Sequence, residues 1–248
     1  MYKDGKQYDK FILNGKTYDK FYLNNKIYGK AYTPFATPIL DLDFQNNFID
    51  KSPSALTMVQ GQGLPTFGLS GRKAGEYCAI FNGSKSIKTT TNLPLNSDKV
   101  CVKFWMKTNQ TTTSVITELS PNFNANNSFG LFINNTSTTT IDISDHDKYY
   151  NVIYSNRAVT NNQWIHIIAT IDRSLGVNQS KIYINGELNF LIYGSLYRDN
   201  NGNFIKNIFY IGQRAGTSLG FNGSLAKYQV FNQVPTDAQA MEMYQNDL

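Results

Sequence analysis

Two segments of the chain bring aromatic rings together with side chains that can hydrogen-bond to hydroxyl groups. Segment 142–151, DISDHDKYYN, holds three aspartates, a histidine and two tyrosines, and segment 193–203, YGSLYRDNNGN, adds two tyrosines, an arginine and an asparagine-rich tip. Sugars are bound by flat aromatic faces flanked by polar side chains, so these segments predict a carbohydrate site. The candidate ligand-binding residues are Asp145, His146, Tyr149, Tyr150, Tyr193, Tyr197 and Arg198. The alternative is that both segments are polar loops with hairpin turns, as at Asn201-Gly202.

Carboxylates in the same segments make calcium a candidate ligand, because hard cations prefer clustered carboxylate and carbonyl oxygens. The candidate metal ligands are Asp145, Asp147 and Asp199. The run that begins at Asp199 has the 1-3-5 spacing of the oxygen ligands in an EF-hand loop. However, Gly202 falls at position 4 instead of 6, and Tyr210 replaces the glutamate at position 12. The sequence therefore excludes an EF-hand and leaves calcium as the one cofactor to consider.

Composition limits the class of protein. The 248 residues are 14% aromatic and 17% charged, which argues against a disordered chain, and no apolar run approaches the ~18 residues of a membrane span. Cys78 and Cys101 lack the spacing of a zinc or redox site, so we expect two buried free thiols. The N-terminus, MYKDGKQYDK, has no apolar segment, and we therefore expect no secretory signal peptide.

The positive charge is concentrated at the N-terminus. Residues 1–30 contain seven lysines and three aspartates, which account for four of the five net positive charges. A nucleic-acid-binding domain carries a basic stripe over its main surface. Because the rest of this chain is nearly neutral, we expect no nucleic-acid partner.

Residues 1–33 contain a decapeptide repeat, with copies DGKQYDKFIL (4–13), NGKTYDKFYL (14–23) and NNKIYGKAYT (24–33). The Asp4-Gly5 and Asn14-Gly15 pairs favour type I′ turns, so the repeat predicts a β-meander of very short strands. Such ribbons bury too little to be stable alone. We expect an attachment or oligomerisation arm, 1–33, that docks on another copy, a larger assembly or the rest of the chain. A stiff proline-containing linker, 34–38, follows it.

From residue 39 to residue 248, short runs of alternating apolar and polar residues end in Gly, Asn, Ser or Thr. In 100–107 the apolar members Val, Val, Phe and Met alternate with Cys, Lys, Trp and Lys. The Asn185-Gly186 pair predicts a hairpin turn. One helical pattern occurs, at 235–244, where Thr236 or Asp237 can cap. The pattern predicts an all-β sandwich or barrel, in which Trp105 is either a core residue or an exposed platform.

Several segments resemble the laminin-G-like branch of the concanavalin A-like lectin/glucanase superfamily. They are LDFQNNFIDKSPSAL, VCVKFWMKT, QWIHIIATID followed by KIYINGEL, and FYIGQRAG followed by FNGSLAKYQVF, in the family's order over roughly residues 40–248. The resemblance implies an all-β, two-sheet antiparallel jelly-roll β-sandwich, with a short N-terminal β-repeat arm and a short C-terminal helix. The family includes lectins, adhesion modules, modules attached to glycanases and inert spacers, so the fold alone does not assign a function.

The acidic residues argue against catalysis. Glucanases of this superfamily carry a Glu-x-Asp-x-x-Glu signature, and glycoside hydrolysis needs two carboxylates about 5–10 Å apart. This chain has four glutamates, none followed by a carboxylate at i+2, and no GxSxG, HExxH, P-loop or GxGxxG motif. His166 occupies a core-hairpin position and is interpreted as structural. We predict a protein without enzymatic activity.

A lectin-like sandwich, no export signal and a repeat arm together resemble a bacteriophage virion component of a tail, baseplate or head fibre. The leading hypothesis is a non-enzymatic adhesin in the virion, made in the host cytoplasm, that binds host-surface polysaccharide. The arm would contact other virion proteins, and the protein would be a homo-oligomer when assembled. The alternatives are a structural decoration or spacer protein of the virion and a cellular polysaccharide-binding module.

Overall fold

The computed structural model describes residues 35–119, 125–135, 139–146, 150–175, 180–189, 191–192, 200–215 and 217–248, together with four short strands within the first 18 residues. The chain divides into two units, Met1–Phe35 and Ala36–Leu248.

The N-terminal unit contains two hairpins. Strand β1 (Tyr2–Lys3) pairs with β2 (Lys6–Gln7), and β3 (Phe11–Leu13) pairs with β4 (Lys16–Tyr18). Lys3 is the register partner of Lys6, and Leu13 is that of Lys16. In the sequence one Asx-Gly pair separates the partners of each hairpin, and type I′ turns at these pairs stay a prediction. The third repeat, 24–33, lies outside the described residues.

The second unit is a two-sheet antiparallel β-sandwich with one helix, as the sequence predicts. Its strands in chain order are β5 (Leu40–Leu42), β6 (Met58–Gln60), β7 (Thr66–Leu69), β8 (Tyr77–Asn82), β9 (Ile87–Thr89), β10 (Lys99–Lys107), β11 (Ser114–Leu119), β12 (Ser128–Asn135), β13 (Thr139–His146), β14 (Tyr150–Tyr154), β15 (Ile165–Asp172), β16 (Ser180–Ile184), β17 (Glu187–Leu188), β18 (Leu191–Ile192), β19 (Phe209–Ile211) and β20 (Asn222–Phe231). Sheet I has the order β17-β16-β15-β10-β20-β8-β7, with β5 also paired to β20. Sheet II has the order β18-β14-β13-β12-β11-β19-β9-β6. This arrangement is consistent with a jelly roll.

The core lies between the two sheets and follows from strand alternation. In β10 the residues Val100, Val102, Phe104 and Met106 are fully buried and belong to one cluster with residues of β12 and β13. The ring of Phe104 stacks on Tyr228 of β20 at a centroid distance of 5.4 Å. Successive side chains point to opposite faces of a strand. The intervening residues of β10 therefore face outward from sheet I.

Helix α1 (Asp237–Asp247) begins with a capping box. The backbone N–H of Gln239 donates to Oγ1 of Thr236, and the backbone N–H of Thr236 donates to Oε1 of Gln239. Tyr244 of this helix lies 5.9 Å from the ring of Trp105, which is 3% exposed. Trp105 is therefore buried in a small cluster of its own, outside the core between the sheets.

An ionic cluster lies at the C-terminal end of α1, and we define it as Arg72, Glu76, Lys103, His166 and Asp247. Lys103 Nζ lies 2.7 Å from Asp247 Oδ2, and His166 Nε2 lies 3.5 Å from the same oxygen. Arg72 pairs with Glu76, donates to the backbone carbonyl of Asp247 and stacks over the ring of Trp105. The cluster ties the end of the chain to the outer face of sheet I.

Within the described residues, no helix has both the length and the apolar character that crossing a membrane requires.

Candidate functional site

A strip of side chains runs across the outer face of sheet II. Phe209 and Ile211 of β19 are fully buried in the core, so Tyr210 between them points outward. Tyr210 is the register partner of Lys88 and of Glu118, and the strip continues across β12, β13 and β14. We call it the site row: Lys88, Tyr210, Glu118, Gly130, Ser144 and Val152. Neighbouring members are about 4.5–5.5 Å apart at Cα, so six strands contribute to one continuous surface.

Gly130 makes room for an aromatic ring on this surface. A Cβ atom at residue 130 would lie 2.6 Å from Cζ of Phe132, so a side chain there would displace the ring. The guanidinium of Arg214 is 5.9 Å from the centroid of the same ring. The ring of Phe132 therefore lies low over the sheet, beneath a cation.

A cavity of about 110 Å³ opens beside this ring. It is lined by Thr113, Phe132, Asn134, Asp142, Val152, Tyr154 and Arg214. Aromatic, amide, carboxyl and guanidinium groups thus meet at one concave place, which is the composition of a small polar ligand site.

Asp142 is the buried carboxyl group of the cavity. Its Oδ2 accepts a hydrogen bond of 2.7 Å from Nδ2 of Asn134, and its Oδ1 accepts one of 2.9 Å from Oγ1 of Thr140. Burial raises the pKa of Asp142 to about 7, although both hydrogen bonds act in the opposite direction. The group therefore titrates close to neutral pH.

Glu118 is the second buried carboxyl group of this face. Its Oε2 accepts a hydrogen bond of 2.8 Å from the backbone N–H of Ala215, whose φ of 46° is left-handed. Its Oε1 is buried and has no hydrogen-bond partner in the part of the chain that the structure describes. Burial raises the pKa of Glu118, and the N–H of Ala215 and the charge of Arg214 offset this only in part. The left-handed residue is strained, and such residues concentrate at ligand sites.

The first predicted segment, 142–151, is mostly strand: 142–146 belong to β13 and 150–151 to β14. The loop interpretation is wrong for these residues, because they pair in register along both strands. Alternation consequently separates the two described candidates of this segment. Asp145 points into the sandwich, whereas His146 points to the outer face with Ser144.

Asp145 is fully buried in an ion pair. Its Oδ1 lies 2.6 Å from Nη2 of Arg173, and its Oδ2 accepts from Nδ2 of Asn200 at 3.2 Å. A sugar or a calcium ion at Asp145 would have to enter this buried pair. His146 is 7% exposed, and burial together with the charges of Arg214 and Arg173 lowers its pKa to about 4.

The other predicted site residues are not described as side chains. Asp147, Tyr149, Tyr193, Tyr197, Arg198 and Asp199 lie outside the described residues, and only the backbone of Tyr150 is described. Among the described residues, no group of three or more His, Cys, Asp or Glu side chains could hold a metal ion. Calcium binding and a ligand role for these loop residues stay predictions.

Sequence reasoning missed Glu118, Phe132 and Arg214. The signal available for Glu118 was its place in SVITEL, where it is the one charged residue of the strand. Phe132 and Arg214 have no such signal, because their partners lie on strands distant in sequence.

One family model matches the chain, the concanavalin A-like lectin/glucanases superfamily (laminin G type 3), over residues 81–241. No curated protein sequence matches.

Solved structures share the fold at low sequence identity. Domain 4 of an extracellular arabinanase from Geobacillus stearothermophilus, in complex with arabinotriose, is 16% identical with a TM-score of 0.65, covering 85% of this chain and 99% of that domain. The botulinum neurotoxin type G receptor-binding domain is 20% identical with a TM-score of 0.61, covering 86% of this chain. The binding domain of botulinum neurotoxin DC in complex with SialylT is 12% identical with a TM-score of 0.60, covering 86% of this chain. This chain spans about half the length of the neurotoxin domains, 52% in both.

Proposed function

Because the chain belongs to the concanavalin A-like lectin/glucanase superfamily, we propose that it is a non-enzymatic carbohydrate-binding protein whose ligand occupies the outer face of sheet II. The observation that carries the proposal is the buried Oε1 of Glu118, which lacks a partner among the described residues. The charge of Arg214, which lines the cavity of aromatic and polar groups, acts on the same carboxyl group. A buried acceptor without a partner costs about 1–3 kcal/mol. A sugar hydroxyl would supply the missing donor.

The remaining groups suit a sugar ring in the same way. The rings of Phe132 and Tyr154 offer apolar faces for the C–H side of the sugar. Asn134 and Arg214 carry donors for hydroxyl oxygens, and the Asn134 amide can also accept. The cavity contains both a carboxyl group, from Asp142, and a guanidinium group, from Arg214. This mixture favours a neutral ligand.

The biological setting that we propose is a bacteriophage virion, with the sandwich binding polysaccharide of the host surface. The support is the N-terminal unit, whose hairpins have strands of only two or three residues, are too small to be stable alone and therefore need a partner. In an assembled homo-oligomer, weak binding per copy would be strengthened ~10²–10⁴-fold by multivalency.

A second candidate is a polysaccharide-binding module of a cellular protein. The specific support is the arabinanase domain, which has this fold over its full length and is described in complex with arabinotriose. The virion setting and the cellular setting predict different behaviour of the N-terminal arm. In the virion setting, the full chain oligomerises and Gly5→Val with Gly15→Val abolishes the oligomer, because type I′ turns need positive φ. A monomeric full chain would favour the module.

The test of glycan binding uses purified full-length protein and immobilised cell-wall and capsular polysaccharides, with and without EDTA. We expect saturable binding that Glu118→Ala weakens about tenfold or more, since one buried hydrogen bond is lost. Glu187→Ala is the matched control, because Glu187 is exposed on the β16–β17 hairpin. Binding that EDTA abolishes would support the predicted calcium ligands. Unchanged binding by the Glu118 variant would refute this site, and no binding to any polysaccharide would favour the spacer alternative.

A further inference from the structure

A second pocket, of about 280 Å³, lies on the outer face of sheet I. Its floor is a row of register partners, Ile80, Ser224 and Lys107, which point outward because their neighbours Ala79, Leu225 and Met106 are in the core. The floor stays partly exposed, with Ile80 at 37%. We call it the Trp164 pocket, after the aromatic residue in its wall.

The indole of Trp164 is held in place before any ligand arrives. Its Nε1 donates a hydrogen bond of 2.8 Å to the backbone carbonyl of Ser70. The ring also packs against the cluster of Cys78, Trp105 and Ala226. An aromatic face that is already fixed loses little conformational entropy when a ligand packs on it.

Three asparagine side chains line the same pocket: Asn109, Asn162 and Asn222. All three are exposed, and their amide groups make no hydrogen bond to the described residues. Their backbone is nevertheless held. The N–H of Asn162 donates to the carbonyl of Thr108 at 2.9 Å, and Oγ1 of Thr108 donates to the carbonyl of Asn222 at 2.6 Å. Each amide offers a donor and an acceptor, which is what a sugar hydroxyl requires.

The charges of the pocket narrow the ligand class. The described lining residues include no carboxylate, and Lys107 contributes an ammonium group. This lining disfavours a cationic ligand and accepts a neutral or acidic one. A volume near the lower end of the roughly 300–1,000 Å³ typical of small-molecule sites fits one sugar ring better than a long segment of chain.

We propose that the Trp164 pocket is a second saccharide site, separate from the outer face of sheet II, that stacks one neutral or acidic sugar ring on Trp164 and hydrogen-bonds it through the three asparagines. Because the two sites lie on the outer faces of opposite sheets, one copy of the protein can bind two glycan chains at once. This inference does not depend on ligand binding at Glu118.

Tryptophan fluorescence can test the proposal, since the chain has two tryptophans and Trp105 is buried. Arabinotriose, cellotriose, chitotriose and the acidic trisaccharide trigalacturonate are each titrated into the full-length protein to about 20 mM, which detects millimolar affinity. We expect a saturable change in emission with at least one of them. Asn109→Ala, Asn222→Ala and Asn162→Gly should each weaken binding about fivefold to tenfold. Glycine at residue 162 preserves its left-handed backbone, where φ is 55°.

Two controls separate this site from the one on sheet II. Gln163→Ala changes an exposed neighbour of Trp164 that does not line the pocket, and should leave the titration unchanged. Glu118→Ala should likewise leave the emission change intact. The proposal is overturned if none of the four saccharides changes the emission, or if the change survives all three asparagine variants. It is also overturned if Glu118→Ala removes the change.

Discussion

Replacing Lys103 by Met should destabilise the protein by about 3 kcal/mol, because it leaves a mostly buried carboxylate without its cation. The Lys103 and Asp247 side chains are 8% and 19% exposed and lie 2.7 Å apart. Removing one partner of a buried pair costs about 3–5 kcal/mol. The residual exposure of Asp247 and the nearby His166 place this pair at the lower end of that range. Methionine keeps the aliphatic length of lysine, so packing beside Trp105 changes little.

Lys181→Met is the matched control, because Lys181 of β16 also pairs with an aspartate of α1. Lys181 pairs with Asp237 at 2.9 Å, but the two side chains are 36% and 61% exposed. Exposed pairs contribute about 0–1 kcal/mol. Urea denaturation should therefore separate the variants, and thermal unfolding should show a loss of about 6–12 °C for Lys103→Met in a chain of this size. Equal stabilities of the two variants would refute the account of the ionic cluster.

The pH dependence gives an independent check. Burial by itself raises the pKa of Asp247, but the nearby His166 imidazole and the charge and hydrogen bond of Lys103 outweigh it and hold the pKa well below its usual range. A carboxyl group with a lowered folded-state pKa stabilises the protein above its unfolded pKa of about 3.9, and the contribution is lost as the pH falls further. The difference between the wild type and Lys103→Met should thus shrink as the pH falls from about 4 to about 2. A difference that grows in this range would contradict the proposed pair.

Three further changes test other parts of the structure. Gly130→Ala should displace the ring of Phe132 and weaken glycan binding about tenfold, as measured on immobilised polysaccharide, since the new Cβ would lie 2.6 Å from that ring; unchanged affinity would exclude the ring from the site. Asp142→Asn should gain more stability relative to the wild type at pH 8 than at pH 4 in urea denaturation. The reason is that a folded-state pKa raised to about 7 makes the wild type lose stability as the pH rises from the unfolded pKa of about 3.9 to about 7, and equal gains at both pH values would contradict it. Lys227→Gly should stabilise the protein by about 0.5–1 kcal/mol in the same assay. The backbone of Lys227 has a φ of 51°, and this conformation strains a non-glycine residue by more than the entropy that glycine loses on folding. A destabilised variant would show that Lys227 is not strained.

The strands and the helix cap are predictable because their determinants are local. The alternation of Val100, Val102, Phe104 and Met106 assigns the inner face of β10, and the capping residue Thr236 is recognisable before its helix. Trp105 is different: alternation places it on the outer face, but its burial depends on α1, more than 130 residues away in the chain. Local pattern therefore leaves its exposure undetermined.

The candidate site is less predictable than the fold because it is assembled across strands. The site row joins residues from 88 to 210, and no local motif links Glu118 to Gly130 or to Tyr210. Asp145 misled the sequence interpretation for a related reason. Its ion-pair partner, Arg173, follows 28 residues later, so a buried aspartate looked like a polar loop residue.

Sheet I cannot be completed during synthesis until strand β20 has been made. In sheet I it lies between β10 on one side and β8 and β5 on the other, and the sheet order contains no other pairing between these halves. Before residues 222–231 leave the ribosome, the nascent chain can therefore form only two half-sheets of sheet I, each with an open edge. Open edges invite pairing with other chains, and such non-local closure is slow. Nascent chains on neighbouring ribosomes would be exposed to strand exchange until β20 has been made.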